Sequence, residues 1–314
     1  MSEQALQTVR FGASWQTQFR FTQAIGRGLA ETLRVKIVVV AGGGSLDAGD
    51  VDLVYTKSIN NHQRYTGEGI YAAREPMRWL RTIAWLPQED RYLFAVAPAA
   101  GISSFEEIAA KKPPLKMAAQ RSVNPVLKEY GFSFEDIESW GGSVRPMHHT
   151  AHAARERYEE GQLEACFGDG SEFDGSAWKW MADRGYKFLN IRPDVMANLE
   201  RKHGLRRNLT PAGFLPGICE NLLALDDSHI VLTCHERLDD DLAYAVARVI
   251  DERKREIEMN AIQVTSAESN KLPLTEHTLW SSLTSPIERQ WDAAILGAPP
   301  HPGAERYYRE KGVL

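Results

Sequence analysis

Three histidines crowd the middle of this chain, His148, His149 and His152, and Glu156 follows four residues after the last. On a helix, His148 and His152 share one face and Glu156 continues it. Two imidazoles and a carboxylate on one face suit a metal ion, and one imidazole alone suits general acid–base work near neutral pH. No HExxH is present and no third distant ligand is evident, so the solvated start of a helix explains the same residues. Cys166 sits beside Phe167 in an apolar run with no activating partner, and reads as a buried strand residue. No G-x-S-x-G elbow supports serine catalysis. No metal and no cofactor is expected.

A second set of candidates comes from strand ends. In open α/β folds ligands sit outside the carboxyl ends of the strands. Here that rule selects the loops after Phe11, Ala41, Tyr55, Ala119 and Phe167. The first loop supplies Ser14, Trp15 and Gln16: a hydroxyl, a stacking face and an amide. The second supplies Gly43, Gly44 and Ser45, whose backbone N–H groups suit an anion or form a plain turn. Thr56 and Lys57 follow the third. After the fourth, Ser122 or Asn124 opens a helix, a favourable place for a carboxylate or phosphate. Arg121 there adds a bidentate donor, or is a surface arginine. Asp169 accepts from a ligand amine or hydroxyl, or caps the following helix.

The elements that position these residues alternate. Val9 to Gly12 reads as a strand, and Phe21, Ala24, Ile25, Gly28, Leu29 and Leu33 recur at helical spacing. Val35 to Ala41 is a mostly β-branched run, as in a strand covered on both faces. Val51 to Tyr55, Tyr92 to Pro98, Leu115 to Ala119, Leu163 to Phe167 and Ile230 to Cys234 read as further strands. Helices are expected over Asn124 to Tyr130, Thr150 to Glu160 and Leu238 to Glu258. Strand, helix, strand in this order gives parallel βαβ units.

Composition sets the frame. A chain of 314 residues with 43% hydrophobic and 25% charged residues makes a globular protein of two lobes or domains. A net charge of -5 argues against a nucleic-acid surface. No apolar run reaches the ~18 residues that cross a bilayer. Cys166, Cys219 and Cys234 are odd in number and lack a CxxC spacing, which argues against a disulfide framework or a zinc site. The first residues carry no basic, apolar and small-residue export pattern, so the chain as written reads as cytoplasmic, and as periplasmic if a signal has been omitted.

The final segment, His301-Pro302-Gly303-Ala304-Glu305-Arg306-Tyr307-Tyr308-Arg309-Glu310-Lys311-Gly312, reads physically as a short amphipathic helix. It also resembles the closing segment of the TAXI family, solute receptors of one class of TRAP transporters. Arg81 to Leu86, Ala99 to Ile108, Tyr158 to Ala165 and Leu238 to Val246 resemble other stretches of that family, in the same order.

The resemblance implies a type II periplasmic-binding-protein-like α/β fold with a ligand cleft between two lobes. Lobe one would hold residues 1–96 and 223–314, and lobe two residues 97–222. It further implies capture of a small organic acid, with a TRAP-type membrane transporter as partner. Two departures reshape the cleft: Gly12 to Phe19 stands where the family has a Gly-rich, Tyr-containing loop, and the helix expected between Gly43 and Leu53 is mostly missing. The alternative is an enzyme on the same scaffold, a decarboxylase of an aromatic acid. There His148 or His149 would donate the proton and Arg121 would hold the carboxylate.

Overall fold

The computed structural model describes residues 6–14, 16–86, 90–147, 151–170, 176–228, 230–261 and 290–314. Its contacts divide them into two units, one of residues up to 86, Ser228 and residues from 230 onward, the other of residues 90–227. No helix among the described residues is long and apolar enough to cross a membrane.

The first unit opens with β1 (Gln7–Ala13), α1 (Gln16–Thr32), β2 (Val35–Ala41), β3 (Leu53–Lys57), α2 (Ser58–Thr66) and β4 (Leu80–Leu86). The second runs β5 (Arg91–Val96), α3 (Phe105–Lys111), β6 (Lys116–Ala119), α4 (Asn124–Glu129), α5 (Phe134–Ser139), β7 (Ser143–Pro146), α6 (Ala151–Glu159), β8 (Ala165–Gly170), α7 (Ala177–Ala182), β9 (Lys187–Phe188), α8 (Pro193–His203), β10 (Arg206–Thr210) and β11 (Leu222–Asp226). The chain then completes the first unit with β12 (Ile230–His235), α9 (Asp240–Glu252), α10 (Lys254–Ala261), α11 (Ala293–Leu296) and α12 (Pro302–Glu310).

The first unit's sheet has the order β2-β1-β3-β12-β4. β1 runs parallel to β2 and β3, as the βαβ reading requires, and β12 is antiparallel to both its neighbours. The order leaves β2 at an edge, with every residue half-buried or exposed, which corrects the expectation of a strand covered on both faces. An apolar β-branched run does not reveal whether its strand is central. Helix α1 packs Phe21, Ala24, Ile25 and Leu29 into a core shared with α9. The approach is close at Gly28, where a Cβ would lie 2.4 Å from a Val249 methyl. The long helix expected over Leu238 to Glu258 breaks at Arg253 into α9 and α10.

The C-terminal segment closes this unit. His301 caps α12 through Nδ1, which accepts from the Gly303 N–H at 3.2 Å, with Pro302 at the first helical position. Tyr307 and Tyr308 face inward, and Tyr308 donates to the Ile83 carbonyl of β4 at 2.6 Å. Tyr307 donates to Asp251 of α9 at 2.6 Å, and Arg306 pairs with Asp241 on the same helix. Gly303 is needed for space: a Cβ there would sit 2.0 Å from the Asp240 carbonyl oxygen.

The second unit's sheet has the order β10-β11-β5-β8-β6-β7, and β9 pairs with the end of β5. Phe94, Phe105 and Phe167 meet with ring centroids 5.2 to 5.9 Å apart. Ser104 caps α3 through the Glu107 N–H, as its Ser-Phe-Glu-Glu wording suggests. Cys166 is fully buried in β8, where burial pushes its thiol far above the ordinary range; Cys234 is buried, Cys219 is exposed, and all three are free.

Candidate functional site

Three parallel strands of the first unit deliver their carboxyl ends side by side. Gly42 at the end of β2 donates to the Ala13 carbonyl at 3.0 Å, joining the loops after β1 and β2. Ser14 Oγ lies 3.5 Å from where a Gly43 Cβ would be, so the first two predicted loops meet. The Ser14 N–H is bound by Gln18 Oε1 at 2.7 Å, which orders the turn into α1. Trp15 lies outside the described residues, as does the side chain of Gln16.

Gly43 and Gly44 take φ values of +92° and +151°, which a side chain would strain. Ser45 already serves its own turn: its hydroxyl accepts from the Ala48 N–H at 3.1 Å, and its N–H donates to Asp50 at 3.3 Å. Thr56 is buried within β3, and Lys57 ends that strand half-buried. The first unit also has a hollow of about 270 Å³ lined by Gln7, Thr8, Asp52, His235 and Arg237. Gln7 and Thr8 begin β1, so this hollow lies at the opposite end of the strands from Ser14.

The second unit gathers a different group. Gln120 and Asp169 bond reciprocally: the Gln120 amide donates to Asp169 Oδ1, and the Asp169 N–H donates to Gln120 Oε1 at 3.2 Å. Asp169 is thus a β8 residue; the expected role as a helix cap belongs to Ser176, whose hydroxyl accepts from the Lys179 N–H. Ser122 is buried, with Oγ 3.3 Å from the Tyr92 hydroxyl. Burial, and then the charges of Asp227, Asp169 and Asp90, hold the Tyr92 phenol well above its ordinary range. It stays protonated at any working pH and acts as a neutral donor or acceptor.

Asp90, Asp169 and Asp227 each bring a carboxylate oxygen within 4.8 Å of the others. Asp90 and Asp227 are buried, and they open and close the stretch of chain that forms this unit. Three converging carboxylate oxygens favour a cation, whether a hard metal ion or an organic ammonium, and oppose an anion at the same point. Tyr92, Asp90 and Asp227 were not legible as site residues, since their positions follow no motif spacing and only the pairing of β5 with β8 and β11 assembles them.

Arg121 and Asn124 are turned to another purpose. Arg121 is exposed and its guanidinium pairs with Glu135 at 3.1 Å and Glu138 at 2.9 Å. Asn124 accepts from the Phe134 N–H at 3.2 Å, and its amide reaches Glu135. Both therefore tie the α4 loop to α5. The expected carboxylate clamp meets two resident carboxylates, because α5, which carries Glu135 and Glu138, folds next to it. His148 and His149 lie outside the described residues, as does the side chain of His152.

Several solved structures are similar to this chain. The periplasmic aliphatic sulphonate binding protein SsuA of Escherichia coli is 12% identical, with 98% of this chain and 89% of that one covered and a TM-score of 0.39. A TctC solute binding protein from Polaromonas is 11% identical, covers 81% and 87%, and has a TM-score of 0.46. A glycine betaine/carnitine/choline ABC transporter structure is 15% identical, covers 98% and 99%, and has a TM-score of 0.36. The family model described as NMT1-like matches residues 19–312, and the chain belongs to the NMT1-like family.

Proposed function

We propose that this chain is a solute-binding protein that captures a small organic acid, with the strand-end rim of the first unit contributing to the ligand site. The observation that carries the reading is the meeting of Ser14 with Gly43 at the carboxyl ends of parallel strands β1 and β2. Thr56 and Lys57 end the neighbouring β3. Such a rim offers backbone N–H groups, a hydroxyl and an ammonium to a carboxylate.

The finer assignment is a TAXI-type receptor for a TRAP-type transporter, working in the periplasm. Its strongest support, the segment from His301 to Gly312, packs against α9 and β4, so that wording bears on the scaffold more than on the ligand. The lobes of this reading are residues 1–96 with 223–314 and residues 97–222; the contact division falls at Asp90 and Asp227. Native mass spectrometry of the purified protein, followed by calorimetric titration of the acid recovered, tests the reading. Gly43→Val and Lys57→Ala should each weaken binding at least tenfold, about 1.4 kcal/mol. Affinity unchanged in both variants removes the strand-end rim from the site.

A further inference from the structure

The chain between α2 and β4 folds back on the last turns of α2. The Gly67 N–H donates to the Gln63 carbonyl at 2.8 Å, and the Met77 N–H donates to the Arg64 carbonyl at 2.8 Å. Between these two ties lies a short 3-10 turn, Gly69–Tyr71. Closing the loop brings three arginines to two tyrosine rings. The guanidinium carbons of Arg64 and Arg74 lie 5.3 Å and 5.9 Å from the centre of the Tyr71 ring, and that of Arg78 lies 4.8 Å from the centre of Tyr65. Arg64 Nε also donates to the Tyr71 hydroxyl at 3.0 Å. Tyr65 is anchored in its turn, packed against the buried cluster of Leu46, Val51 and Leu80.

Arg27, Arg192 and Arg306, exposed elsewhere, meet carboxylates of this chain. Arg64, Arg74 and Arg78 form no ion pair among the described residues, although Glu68 and Glu75 stand in the same loop. Two guanidinium groups at one ring repel each other, and an incoming carboxylate relieves that repulsion. Ile70, in the turn beside them, is 49% exposed.

We propose that this loop docks an acidic segment of a partner protein, whose carboxylates the arginines grip and whose chain covers Ile70. A guanidinium held on an aromatic ring is already ordered and keeps its N–H edge for a carboxylate, so less freedom is lost on binding. Arginine and tyrosine are also the residues that concentrate binding energy at protein interfaces. Charge selects a protein segment over a membrane or a nucleic acid. A bilayer or duplex is a continuous anionic surface, and it would also meet Glu68, Glu75 and the rest of a chain whose net charge is -5. A short acidic segment meets the arginines alone. The site is independent of whether the strand-end rim holds a solute.

Fluorescence anisotropy of a labelled octaglutamate peptide with the full chain, at about 50 mM salt to limit screening, tests this. Saturable binding is expected, weakened about fivefold when Arg74→Gln and Arg78→Gln are combined, as the loss of two exposed charge-assisted contacts would give. Both side chains are exposed, and Arg64 with its bond to Tyr71 stays in place. Arg145→Gln combined with Arg255→Gln removes the same charge from exposed positions elsewhere and should bind as the parent does. No binding by the parent would overturn the inference, as would equal losses in the two double variants. Binding only to vesicles of phosphatidylserine and phosphatidylcholine, lost in the first double variant, would overturn it in favour of a membrane.

Discussion

Gly303 offers the sharpest test of why the C-terminal segment is written as it is. In Gly303→Ala the new methyl would start 2.0 Å from the Asp240 carbonyl oxygen, 2.8 Å from its carbonyl carbon and 3.0 Å from its Cα. Ordinary carbon–oxygen contact is more than an ångström longer, and the obstacle is backbone, so α12 and α9 must separate. Separation strains the bonds that hold α12 from both sides, Tyr308 to Ile83 at 2.6 Å and Tyr307 to Asp251 at 2.6 Å. Overpacking of this kind costs about 1–3 kcal/mol, and weakening a buried hydrogen bond adds ~1 kcal/mol. Alanine's better helix propensity returns less than ~1 kcal/mol. The expected net loss is ~2–3 kcal/mol, read as a lower urea midpoint with the slope unchanged. Gly312→Ala is the control, since nothing lies within 4 Å of its Cβ position and only its φ of +71° opposes a side chain, costing ~1 kcal/mol. A Gly303→Ala protein within ~0.5 kcal/mol of the parent, inside the range of neutral surface changes, would refute the packing argument.

Acid should loosen the same joint. Burial lowers the affinity of His301 for a proton, with Asp240 opposing the shift only in part, so its folded pKa lies below its ordinary 6.5. The unfolded chain therefore binds the proton first: the stabilisation is complete above about pH 6.5 and is lost as pH falls from there toward the folded value. His301→Asn, which keeps a capping oxygen, should flatten this part of the stability–pH curve; an unchanged curve would assign the slope elsewhere. Thiol titration of the native protein should count one fast cysteine, Cys219, with Cys166 and Cys234 reacting only on unfolding. Two fast thiols would contradict the burial of β8 or β12. Tyr308→Phe should lower stability by about 1–3 kcal/mol through the lost bond to the Ile83 carbonyl, with the Gln290 amide left only its Ala247 partner, measured by the same urea titration.

Much of the scaffold could be read from residue order. Strands at Val9, Val35, Leu53, Tyr92 and Ile230 stand where apolar runs put them, because a run of that length between turn residues has few other homes. Ser104 and His301-Pro302 start their helices where local capping chemistry says they should. Local wording thus fixes elements whose determinants lie within a few residues of each other. The loops after β1 and β2 were candidates through the general rule that strand ends carry ligands, and the structure brings Ser14 and Gly43 together.

What local wording could not fix was neighbourhood. Val35 to Ala41 reads as a central strand, yet the sheet order puts it at an edge. Arg121 reads as a carboxylate clamp or as a surface arginine, and only the fold of α5 brings Glu135 and Glu138 to it. Asp90, Asp169 and Asp227 are separated by 79 and 58 positions along the chain and converge only because β5 lies between β8 and β11. A side chain's chemistry is set by the charges and surfaces within a few ångströms of it, and in a sheet built from distant strands those neighbours come from parts of the chain that no short-range pattern connects.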